Sequence, residues 1–136
     1  MPKQIFVNLP VRDLAKAKAF YAAVGAVNNP QFSDETAACM VWSDTIYTML
    51  LTHAKWATFT DKPICDPRSS EVSLAISVDD RAAVDAMLAA AGAHGGKVDV
   101  NPPQDLPFMY SRAFEDLDGH VWEPLFFDMS KFPQQG

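Results

Sequence analysis

The sequence predicts an α+β chain made of two tandem copies of one β-α-β-β-β unit. Three observations carry that reading: a repeat at constant spacing, matched brackets around two alanine-rich helices, and an alternating strand ahead of each helix. VRDLAKAKAFYAAVGA begins at Val11 and VDDRAAVDAMLAAAGA at Val78, and the same offset of 67 pairs Asp13 with Asp80, Gly25 with Gly92 and Ala26 with Ala93. Alanine matches come easily between alanine-rich helices. The Val, Asp and Gly matches do not, since each marks a position with a structural task.

The elements follow in order. IFVNLPV, 5 to 11, alternates an apolar face of Ile5, Val7, Leu9 and Val11 with a second face of Phe6, Asn8 and Pro10, as a half-buried strand does. Asp13 is placed to cap the helix that follows, and Gly25 to end it in a left-handed turn. NNPQFSD holds a short strand, and AACMVW and TIYTMLLT are strands joined by a turn at Ser43-Asp44. VSLAISV, 72 to 78, opens the second copy with Val72, Leu74, Ile76 and Val78 on one face and Ser73, Ala75 and Ser77 on the other. Asp80 and Gly92 bracket its helix, and GKVDV, FMYSRAFE and HVWEPLFF supply three further strands, the last two joined at Asp118-Gly119. The modules therefore span about 4–53 and 71–127 of a single domain, with 54–70 as the mobile connection.

At 136 residues and 49% hydrophobic, the chain has enough apolar side chains for one good core. Its formal net charge of -6, with 11 scattered Lys and Arg, argues against a nucleic-acid or anionic-membrane surface and suits a cationic or neutral small molecule. Cys39 and Cys65 do not make a disulfide framework, and MPKQIFVNLP lacks a signal peptide's apolar core, so a cytoplasmic protein is expected. No apolar run approaches the roughly 18 residues of a spanning helix.

The chemistry centres on EDLDGHVWEPLFF, 115 to 127, where Glu123 stands in an apolar strand. A lone buried carboxylate costs several kcal/mol unless a metal, a cation or donors receive it. If Glu115 faces His120 across a four-residue loop, Arg112 falls opposite Glu123 as a partner, and a slip of one residue removes the pair. Phe108, Tyr110 and Arg112 share one strand face, and Trp56 and Phe59 lie in the connection; these aromatics are core packing or the lining of an apolar cavity. His94 reads as a helix C-terminal partner, His120 as a hairpin-end residue and His53 as a rim or solvent residue.

Two βαβββ units closed by Asp116, Asp118, Gly119, His120, Trp122 and Glu123 resemble the vicinal oxygen chelate superfamily of glyoxalase I, extradiol dioxygenases and the fosfomycin and bleomycin resistance proteins. The resemblance implies a cup-shaped incomplete barrel, with a divalent ion held by side chains on the first and last strands of each module. Carried onto this chain, it implies Glu123 and Ser73 in the second module and, through the repeat, Phe6 and Met49 in the first. Only Glu123 is a competent ligand, where catalytic sites of this kind use about three. Asn8 in place of Phe6, or His53 in place of Met49, leaves Ser73 unrepaired.

No cofactor is therefore expected, and two functions stand side by side. One is a metal-free protein binding a small organic molecule through Phe6, Asn8, Met49, Ser73, Phe108, Tyr110, Arg112 and Glu123. The other is a metal-dependent lyase or dioxygenase using Glu123 as ligand or general base. The resemblance also implies a homodimer.

Overall fold

In a computed structural model, which describes residues 2–132, the chain divides between Ser69 and Ser70 into two compact α+β units. The first contains β1 (Ile5–Val11), α1 (Leu14–Ala23), β2 (Val27–Asn29), β3 (Ala37–Val41), β4 (Ile46–Thr52) and a short α2 (His53–Trp56). The second contains β5 (Ser73–Ser77), α3 (Arg81–Ala93), β6 (Lys97–Val98), β7 (Gln104–Leu106), β8 (Met109–Ser111), β9 (Phe114–Glu115) and β10 (Val121–Phe127).

Each unit pairs its first strand with its last in parallel. The first sheet runs β1-β4-β3-β2; in the second, β5 lies along one side of β10, while β8 and β9 follow each other along the other side, with β7 and β6 outside them. The order first, last, third, second is thus common to both units, and the β-α-β-β-β reading holds. The helix joins the first strand to the second, which run parallel on opposite sides of the sheet, so it must cross over one face and leaves the other for something else.

The helices are bracketed mostly as the sequence suggests. Asp13 and Asp80 are the N-caps, accepting from the amides of Lys16 (3.0 Å) and Ala83 (2.7 Å), contacts worth about 1 kcal/mol each. Gly25 ends α1 with φ +119°. Gly92 does not end α3: the helix runs on to Ala93, and Gly95 takes the left-handed turn with φ +93°. Gly92 has a packing role instead, since a Cβ there would lie 3.2 Å from Val98 Cγ1 on β6. In α1 the buried face is Ala17, Phe20 and Tyr21, and in α3 it is Val84, Leu88 and Ala91, spacings of one helical face. Full burial of a Phe or Leu side chain stabilises by about 1.5–3 kcal/mol, and α1 lays that face on β3 and β4 while α3 lays its own on β10 and β6.

The apolar faces of β1 and β5 are covered only in part. Leu9 and Val11 are buried, but Ile5 is 57% exposed and its repeat partner Val72 is 59% exposed and lies ahead of β5. Between Met109 and Glu115 the expected single strand is broken, because Arg112 donates its N–H to Pro124 O (3.4 Å) and proline has no N–H to return. β7 was not foreseen; it pairs with β8 through Gln104 and Ser111.

The hairpin register corrects the expected pairing of Arg112 with Glu123. Glu115 faces Val121, one residue beyond His120, so Arg112 comes level with Pro124 and turns to the α3 face. There its guanidinium binds Asp99 through two hydrogen bonds (3.0 and 2.8 Å) and Asp85 through one (3.0 Å), and Asp85 also accepts from the Tyr110 hydroxyl (2.6 Å). Asp99 holds φ +53° beneath that clamp. The hydrogen bonds from Tyr110 and Arg112 hold the Asp85 carboxyl below the usual range, those from Arg112 do the same for Asp99, and the Arg112 guanidinium is held more firmly protonated in return.

Carboxylates with depressed folded values stabilise fully above the unfolded value of about 3.9 and lose that contribution as pH falls through the lower folded value. Arg112→Met should therefore cost about 1 kcal/mol near neutrality, and the deficit should shrink below about pH 4. Urea midpoints from pH 7 to pH 3 check this. A deficit that stays constant across the series contradicts it.

Candidate functional site

Each unit carries a cavity, and that of the first lies on the sheet face opposite its helix. In the first unit, parallel register sets Asn8 beside Met49 and Pro10 beside Leu51, and antiparallel register adds Ala37 and Cys39 to that face. A cavity of about 420 Å³ lies over it, lined by Asn8, Ala37, Met49 and Leu51 from the sheet and by Lys55, Trp56, Phe59, Thr60 and Lys62 from the segment after β4. That segment turns back because Thr52 caps α2, accepting from the Lys55 amide (3.1 Å), and because Ala57, Thr58 and Phe59 close successive turns onto His53, Lys55 and Trp56. The Trp56 indole N–H is buried without a hydrogen-bond partner, which costs about 1–3 kcal/mol. The lining is mostly apolar with a few polar groups, the usual make-up of a small-molecule pocket.

The second unit has a polar counterpart. A cavity of about 360 Å³ is lined by Asn101, Pro102, Pro103, Gln104, Ser111, Arg112, Ala113 and Glu123. Glu123 is half-buried rather than fully enclosed. It stands beside Ala75 on β5 and accepts one long hydrogen bond, from Asn101 Nδ2 (3.4 Å). The carboxylate is met by partial solvation and an amide donor, with Arg112 lining the same cavity but committed to Asp85 and Asp99.

The other expected site residues are distributed differently. Phe6 lies two pairings before Asn8, 49% exposed and stacked on Tyr47 at 4.6 Å. Ser73 is exposed and pairs with Val121, so the strand neighbour of Glu123 is Ala75. Tyr110 belongs to the α3 face, bonded to Asp85, with the Arg81 guanidinium 5.2 Å from its ring. Phe108 packs on Phe132 at 4.8 Å. Asn8 and Met49 are brought together in one cavity, and Arg112 and Glu123 line another; Phe6, Ser73, Phe108 and Tyr110 line neither.

The resemblance points to four strand positions for a divalent ion. They carry one carboxylate, Glu123, the other three being Phe6, Met49 and Ser73, and within either unit no three His, Cys, Asp or Glu side chains gather among the described residues. His53 is exposed at the start of α2 and does not line the cavity. Asp116, from the motif that carried the resemblance, serves the turn: its Oδ1 accepts from the amides of Asp118 and His120 (both 2.9 Å), and Gly119 takes φ +88°.

In sequence Trp56 and Phe59 stood between core packing and cavity lining, and nothing marked Lys55, Thr60 and Lys62, which depend on how the segment folds back after Thr52. It also missed Asn101 and Gln104, for which the one local signal is the Asn-Pro-Pro run after Asp99.

Comparison with known proteins agrees with this architecture. The chain is similar to the hypothetical protein SA1046 from S. aureus, at 26% identity over 93% of this chain and 95% of that one, with a TM-score of 0.76. It is similar to a glyoxalase-related enzyme from Fulvimarina pelagi, at 19% identity over 93% and 88% with a TM-score of 0.76, and to the fosfomycin resistance protein FosX from Mesorhizobium loti, at 19% over 96% and 97% with a TM-score of 0.68. No curated protein matches. The model of the Glyoxalase/Bleomycin resistance protein/Dioxygenase superfamily matches residues 3–123, and the chain belongs to that superfamily.

Proposed function

We propose that this chain is a metal-independent member of its superfamily that binds a small organic molecule in the first unit, over Asn8 and Met49 and beneath Trp56 and Phe59. The observation that carries the reading is the mostly apolar cavity of about 420 Å³ on the sheet face the helix leaves uncovered. Met49 occupies the position where the family resemblance implies a metal ligand. A thioether is a soft, weak donor that suits an apolar ligand better than a hard cation.

A second reading has one observation in its favour. Glu123 keeps a half-buried carboxylate on a polar cavity with only a long hydrogen bond from Asn101, an arrangement open to general-base work or to a single metal bond in a lyase or dioxygenase. Stoichiometric Zn, Ni, Mn or Fe in protein purified without added metal supports it.

A cytoplasmic homodimer completes the proposal. Free Cys39 and Cys65 are in keeping with a reducing compartment. No helix among the described residues is long and apolar enough to cross a membrane. Exposed Ile5 and Phe6 on edge strand β1, and Val72, Phe127 and Met129 in the second unit, leave apolar surface for a partner copy. Sedimentation equilibrium should give twice the chain mass at micromolar concentration; a chain-mass species at every concentration removes the dimer.

Compounds screened by thermal shift in EDTA should include some that raise the melting temperature by mass action. Those hits should be lost in Met49→Trp, which fills the cavity. EDTA alone should leave the melting temperature of the wild type unchanged. A fall in EDTA, reversed by one divalent metal, favours the Glu123 reading.

A further inference from the structure

The cavity of the first unit carries a charge opposite to that of the whole chain. The formal net charge is -6, yet the two ionisable side chains on the cavity wall are Lys55 and Lys62, and no carboxylate lines it. The Lys55 ammonium lies 5.4 Å from the centre of the Phe59 ring, so part of its stem rests on apolar surface. Neither lysine forms an ion pair among the described residues. Asp34 feels the charge of Lys55, but its Oδ1 is occupied by the Thr36 amide, the Thr36 hydroxyl and the Ala37 amide.

We propose that this cavity selects an amphipathic organic anion: an apolar body against Met49, Leu51 and Trp56, with a carboxylate, sulfonate or sulfate group at Lys55 and Lys62. The proposal rests on the small-molecule reading above and names the ligand class. It reverses the expectation from overall composition, which suits a cationic or neutral ligand. At physiological salt, charges beyond about 8 Å are largely screened, so the acidic surface sets the long-range field while the two lysines decide what is bound. An anion meeting them forms charge-assisted contacts at the edge of an apolar wall, where they are stronger than in water. A cation of the same shape meets only like charge.

Two fluorescent probes test this, 8-anilino-1-naphthalenesulfonate and N-phenyl-1-naphthylamine, which share one skeleton and differ in the sulfonate. Titrated into the full chain in EDTA, the sulfonate should bind about tenfold more tightly than the neutral probe, a ratio that corresponds to about 1.4 kcal/mol. The ratio should fall towards one in the double variant Lys55→Gln/Lys62→Gln and should shrink as salt is raised. Circular dichroism melts establish that the variant is folded, and Lys62→Gln alone, outside any helix or strand, serves if it is not. Equal affinities in the wild type overturn the anion preference while leaving the small-molecule reading intact. A tenfold ratio that survives both lysine substitutions also overturns it, because the sulfonate then sits elsewhere. Failure of both probes to bind removes the cavity as a ligand site and the small-molecule reading with it.

Discussion

Parallel pairing of the first and last strand is the constraint from which the rest of each unit follows. It fixes Asn8 beside Met49 and Ala75 beside Glu123, and with the antiparallel pairs beyond it sets the first and second strands parallel on opposite sides of the sheet, so the helix between them crosses one face. The helix face is then filled: Leu9, Val11, Ala38, Met40 and Leu50 are buried in the first unit, and Phe114 and Trp122 in the second. Even the buried polar group there, Thr48, is satisfied by the Trp42 indole N–H at 2.9 Å. What remains is the opposite face, which in the first unit holds a cavity.

The same backbone plan makes two different cavities, and the difference lies in the segments that cover them. After β4 the chain turns through α2 and brings Trp56 and Phe59 over Met49, giving an apolar space. In the second unit the cover is the 101–104 run of Asn, Pro, Pro and Gln, with Ser111 and Glu123 beneath, giving a polar one. Duplication thus supplies the scaffold twice, while loops that do not repeat decide the chemistry, as function commonly resides in such segments.

The repeat made most of the architecture legible. Aspartate caps, left-handed glycines and alternating strands are local devices with local causes, and Asp13, Asp80, Gly25 and the paired strands read directly from them. Arg112 did not. Its partner depended on hairpin register, a property that shifts by a whole face with one residue, and the slip moved it from Glu123 to Asp85 and Asp99. Gly92 was misread for a similar reason: a glycine kept for close packing against Val98 looks in sequence like a helix terminus. The cationic rim was invisible because Lys55 and Lys62 acquire their meaning only when a segment outside the repeat folds back on the sheet.

The proposed ligand site is the apolar cavity of the first unit, filled without a metal. Chemical-shift mapping of 15N-labelled protein with 8-anilino-1-naphthalenesulfonate in EDTA tests it at residue level. Shifts should concentrate on the Asn8 side-chain amide, the Leu51 amide, the Trp56 indole N–H and the Thr60 and Lys62 amides. Shifts confined to the amides of Asn101, Gln104, Ser111 and Glu123 contradict it and move the site to the second unit.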